Sequence, residues 1–268
     1  AQANGRFARH PLDLDQTPWA QSQLAREFVW QVDVLAGYWF NDLMLLSRDV
    51  ILKHFQEGNI IIEPFNEKKL KTTRYDVSLG KWFWRVGNPE GRATIHNIYD
   101  KDSTRRIWQG PYEAETAGAI NQRLDCQLNN IKPADQVILL KPGETILAHT
   151  EEFIGGRNKI VAKMYARSSL GRNFIEVCKD AGWGDVGYFN RWTMEVTNNS
   201  QYFTIPLVVG RRISQIVFYE VQPLKNAPDY VGEGGKYQAS SELEDLKNNW
   251  HPRQMIPQMH LDWEVKQG

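Results

Sequence analysis

Residues 160–199 read IVAKMYARSSLGRNFIEVCKDAGWGDVGYFNRWTMEVTNN. The apolar and β-branched runs at its two ends, KIVAKMYARSS and NRWTMEVTNN, predict strands. Between them, Arg167, Ser168, Ser169 and Arg172 crowd around Gly171, and a glycine-rich turn carries Asp185. Two hydroxyls and two guanidinium forks beside a glycine form a cradle for an anion, because the planar Arg fork matches phosphate oxygens. Glu195 follows on the second strand, where a carboxylate can act as a base.

The same strand signal continues on both sides of this stretch. VILLKPGETILAHTEEF precedes it, and YFTIPLVV and RISQIVFYEVQ follow, separated by Pro142-Gly143, Gly155-Gly156, Asn198-Asn199-Ser200 and Gly210. Many short strands with such punctuation predict a mainly β fold, a barrel or a sandwich. Upstream, Ser47 is placed to cap a short helix from Arg48 to about Gln56 that Gly58 closes, and Ile60 to Ile62 start a strand that Pro64 ends. Tyr75, Val77 and Leu79 alternate with Asp76 and Ser78, as in a half-buried strand, and Gly80 permits a bend.

Outside this block the signals weaken. Residues 1–45 are expected to form a helical extension, with Thr17 as N-cap and Pro18 at the first helical position. Residues 86–134 read as a surface insertion, loop-like with room for a short hairpin. Residues 225–268 read as a glycine-rich arm and tail, with one short helix from Ser241 to Asn248. The block between, 46–224, is the expected β domain.

The bulk composition narrows the function. The 268 residues carry 32 Lys+Arg and 32 Asp+Glu, so no polyelectrolyte attraction to nucleic acid is expected and a phosphate must be met locally. Cys126 and Cys178 have no metal-ligand spacing, so neither zinc nor a disulfide framework is expected. No apolar run reaches membrane-span length, and the expected setting is cytoplasmic.

Eight segments, taken in order, resemble the dCTP deaminases, a branch of the dUTPase superfamily. They are LSRDVILKHFQEGNIIIEP, YDVSLG, LLKPGETILAHTEE, ARSSLGR, DAGWGDVGY, TMEVTN, RISQIVF and GKYQ, spanning about Leu46 to Ser240. The resemblance implies a distorted, dUTPase-like β-barrel, a deoxynucleoside triphosphate substrate, Mg²⁺ bound through the triphosphate rather than by the protein, and a homotrimer with sites between subunits. It implies that Ser168 and Arg172 bind phosphate with Arg167 and Ser169 nearby, and that Ala181 and Trp183 lie in the base-reading turn. Asp185 matches the acidic residue that contacts deoxyribose and, in dUTP-cleaving members, orients water. Glu195 matches the general base of deamination, Asp76 opens the first shared motif in a structural or metal-shell role, and Tyr230, Lys236 and Gln238 lie in the segment that closes over substrate.

The implied reaction is hydrolysis of dCTP to dUTP and ammonia. The alternatives are a dUTPase or a bifunctional enzyme releasing pyrophosphate through Asp185, and a catalytically silent subunit. The sequence departs from the family at Asp180, usually a small hydroxyl residue, at Trp183, which is Arg in some single-function deaminases, at Val186, commonly Pro, and at Ser240, where Gln is expected. Read without the resemblance, Glu195 between Met194 and Val196 also fits a solvent-facing strand position, and RSSLGR also fits a capped loop with salt bridges.

Overall fold

The computed structural model describes residues 44–88 and 94–266. The helix expected from Thr17 lies outside them. Thirteen strands are described: β1 Met44–Leu45, β2 Ile60–Glu63, β3 Tyr75–Val86, β4 Trp108–Glu113, β5 Glu115–Thr116, β6 Gln136–Leu140, β7 Thr145–Gly156, β8 Ile160–Ala166, β9 Ile175–Val177, β10 Trp183–Gly184, β11 Phe189–Asn198, β12 Ile205–Val208 and β13 Arg212–Glu220. The helices are α1 Arg48–Gln56, α2 Lys101–Ile107, α3 Ala117–Leu124, α4 Ser168–Gly171, α5 Leu243–Asn249 and α6 Trp263–Lys266.

The larger sheet runs β10-β8-β13-β3-β7-β11-β9, with β1 on β13, β2 on β7 and β4 on β3; a small sheet runs β12-β6-β5. β3 and β7 make the larger sheet curl. The first half of β3 pairs with β13 and its second half with β7 and β4. Register shifts at Leu79/Phe83 and Arg191/Thr193 add local bends, because an extra residue in one strand increases its twist. The result is a mainly β, curled antiparallel half-barrel.

Alternation on β11 sorts the two faces. Trp192, Met194 and Val196 enter the main core with Tyr75, Val77, Ala148, Met164, Ile216 and Phe218. The opposite face is covered by the C-terminal chain: Met255 packs on Trp84 and Leu147, and Leu246 packs on Phe153 and Phe189. The tail is therefore a cover for the sheet, sealed where the Trp84 Nε1–H donates to the Pro252 carbonyl at 2.9 Å.

Several local expectations change. α1 has the predicted bounds, but the Ser47 side chain makes no capping bond. The segment 94–134 is not loop-like: it holds α2, β4, β5 and α3, started by Asp100 and Thr116, whose side chains accept from Ser103 N–H and Ala119 N–H. Both helices are too short for periodicity to reveal. The C-terminal helix begins at Leu243 with Glu242 at the N-cap, not at Ser241. Asp76 and Ser78 are buried along with their neighbours, so this part of β3 is covered on both faces. Gly80 lies within a continuous β3, and the reason for glycine is space: a Cβ there would sit 2.0 Å from the His149 ring.

Candidate active site

The turn after β8 supplies the anion cradle. α4 is a single turn, and Arg167 at its N-cap donates to the Arg212 carbonyl at 2.8 Å. Arg212 in turn donates to buried Asp76 at 2.8 Å, which also accepts from Arg74 Nε at 3.1 Å. Asp76 thus has a structural role, tying the cradle to β3 through two guanidiniums. Ser168, Ser169 and Arg172 are exposed, and their side chains have no hydrogen bond or ion pair among the described residues. Two hydroxyls and one guanidinium are left available for a ligand, whereas Arg167 is already partly engaged.

The second half of the site begins with three consecutive left-handed residues, Cys178, Lys179 and Asp180, at φ of 69°, 41° and 62°. Non-glycine residues there cost on the order of 1–3 kcal/mol each and persist only where surroundings hold them. Here β9 clamps one side, with Val177 opposite Val196, and β10 clamps the other, with Trp183 opposite Lys163. Ala181 closes the turn, its N–H donating to the Cys178 carbonyl at 2.7 Å. The Trp183 indole N–H donates to Asp185 Oδ1 at 2.8 Å, so the departure at position 183 directly occupies one oxygen of the implied sugar-contacting acid.

The C-terminal arm lies on this turn. Tyr230 N–H donates to the Val186 carbonyl at 2.9 Å, and its ring meets Tyr188 edge-on at 5.0 Å. Gly187, at φ +92°, lies so close to Asp229 that a Cβ would come within 2.8 Å of it. Gln238 is buried; its amide accepts from Phe189 N–H and donates to the Gly187 carbonyl, each at 2.8 Å. That amide, engaged through both its oxygen and its nitrogen, pins the arm to β11, where the sequence predicts a substrate contact. Lys236 is ion-paired with Asp262.

Glu195 projects from β11 on the side away from the main core, in register with Leu147. Burial pushes its carboxyl above the usual carboxylate range, and the Lys179 ammonium pulls part of the way back. The neighbouring Cys178 thiol is pushed up to about 12 by burial and by the Glu195 charge, so it stays a thiol. A carboxyl whose pKa is raised by burial holds a proton more readily than a free one, which suits it to take and return one. Lys179 and Cys178 carry no sequence signal, because their closeness to Glu195 depends on left-handed backbone that side-chain type does not announce.

The structure brings Trp183, Asp185, Tyr188 and Tyr230 together, and sets Glu195 beside the start of their turn. No hydrogen bond or ion pair among the described residues links this group to Ser168 or Arg172. Nor do the described residues contain a group of three His, Cys, Asp or Glu side chains suited to hold a metal.

Residues 45–221 match the dCTP deaminase-like family. The chain is 32% identical over 196 residues to a "dCTP deaminase, dUMP-forming" of Dictyoglomus thermophilum, covering 72% of this chain and 89% of the relative. It is 29% identical over 197 residues to a "dCTP deaminase" of Halorubrum lacusprofundi, covering 73% and 86%. Among solved structures it is similar to the 2'-deoxycytidine 5'-triphosphate deaminase of Agrobacterium tumefaciens, at 19% identity and a TM-score of 0.45, over 66% of this chain and 48% of that one. The chain belongs to the dCTP deaminase-like family of enzymes.

Proposed function

We propose that this chain catalyses hydrolytic deamination of dCTP, with Glu195 as general base. The observation that carries the reading is a half-buried Glu195 of raised pKa, set beside a strained turn within the ordered family motifs. Water adds at C4 of the cytosine as Glu195 takes its proton; a proton reaches N3, and the amino group leaves as ammonia. Ser168, whose hydroxyl both donates and accepts, holds the water or the departing ammonia. Arg172 offsets part of the triphosphate charge, joined by Lys236 once it leaves Asp262; Mg²⁺ arriving with the nucleotide would offset the rest, and binding of that remote group positions the ring.

A site completed between chains, as in a homotrimer, would let the Ser168–Arg172 cradle of one chain serve Glu195 of another. For the product, the relatives called dUMP-forming favour a second hydrolysis that releases pyrophosphate over a stop at dUTP. Asp185 would orient that second water, through the oxygen not held by Trp183. Incubation with dCTP and Mg²⁺ should yield ammonia and pyrophosphate in equal amounts. Ammonia alone would place the end point at dUTP, and pyrophosphate alone would overturn the deaminase reading.

A further inference from the structure

A cavity of about 660 Å³ lies between α2, β4 and the C-terminal cover, with Trp84 and Trp108 in its wall. Lys101, Arg105, Arg253 and His260 also line it, and no Asp or Glu does among the described residues. Lys101 and Arg105 stand four residues apart on α2, so their like charges share one helix face and repel. Neither they nor Arg253 have an ion-pair partner among the described residues.

One further detail suits the cavity to a ligand. Trp84 has its N–H fixed on Pro252, which holds the ring in the wall as an apolar surface. Unneutralised cations beside indole rings suit an anion joined to a flat ring, since guanidiniums fork onto phosphate and aromatic faces stack on bases.

We propose that this cavity is a second ligand site, separate from the Ser168–Arg172 cradle, and that it takes a nucleoside phosphate. Its phosphates lie on Lys101, Arg105 and Arg253, and its base against the indole wall. The cationic residues come from the insertion and the tail, which the family motifs do not use, so the site stands whether or not the chain deaminates dCTP.

The test is calorimetric titration of the full chain with ATP, with inorganic tripolyphosphate as the comparison. Arg105→Ala and Arg253→Ala, both at exposed positions, are each expected to weaken ATP binding roughly tenfold, the scale of a lost charge-assisted hydrogen bond. Arg172→Ala should leave ATP binding in place, and Trp108→Leu should weaken ATP but not tripolyphosphate. Binding lost in Arg172→Ala and kept in the Arg105/Arg253 double variant would overturn the proposal. So would failure to bind ATP, or equal affinity for tripolyphosphate, or binding only of a single-stranded oligonucleotide.

Discussion

Glu195 must be ionised to accept a proton from water, and burial makes that ionisation harder. Deamination should therefore fall as pH drops through a value above the ordinary carboxylate range. A kcat/KM profile checks this; an acid limb at the unperturbed position would contradict it. His149 gives a second pH effect, on stability. Its pKa is lowered to about 4 by burial, with the Thr150 carbonyl pulling partly back, and its ring accepts the Trp82 N–H at Nε2, which only the neutral form does. A folded pKa below the unfolded one means stability is fully present above about 6.5 and is lost as pH falls toward about 4, by on the order of 3 kcal/mol. Urea unfolding at pH 7 and pH 4.5 measures the difference, and a His149→Gln variant should lose less. At this scale, the sequence makes Glu195 visible as a motif residue but not as a buried one. Burial and the nearness of Lys179 come from β9 and the turn, which no local pattern encodes.

At the scale of elements, the His149 ring of β7 fills the place of a side chain at Gly80 of β3. The ring is held at both nitrogens, so Gly80→Ala should destabilise the fold by about 1–3 kcal/mol, as overpacking does. Denaturant unfolding with unchanged midpoint would mean that the ring can move aside. Gln238→Ala should leave the Phe189 N–H buried and unpaired, loosening the arm so that proteolysis within 225–242 speeds up while the β domain stays intact. The strands β6, β7, β8, β11, β12 and β13 and the helix α1 are legible because alternation, helix spacing and Gly or Pro punctuation are local, whereas the short β9 and β10 within the glycine-rich turn are not. α2 and α3 are not legible, being barely two turns long, and their starting Asp100 and Thr116 are easily taken for loop residues. The burial of Asp76 is hidden too, since Arg212, which neutralises it, lies 136 positions away.

For the whole molecule, the order of motifs reveals the family but not what the C-terminal chain does, because Trp84, Leu147 and Met255 meet only in the folded sheet. If neighbouring chains complete the site, mixing inactive Arg172→Ala and Glu195→Gln proteins under subunit exchange should restore part of the activity; strictly additive inactivity would argue for sites within one chain. The central claim rests on Glu195 as base, and ammonia release from dCTP by Glu195→Gln, measured beside dCTP binding, tests it most directly. The expected result is retained binding with deamination reduced at least about 10²-fold, the lower end of general-base contributions. Deamination at the unsubstituted rate, with binding intact, would contradict the account.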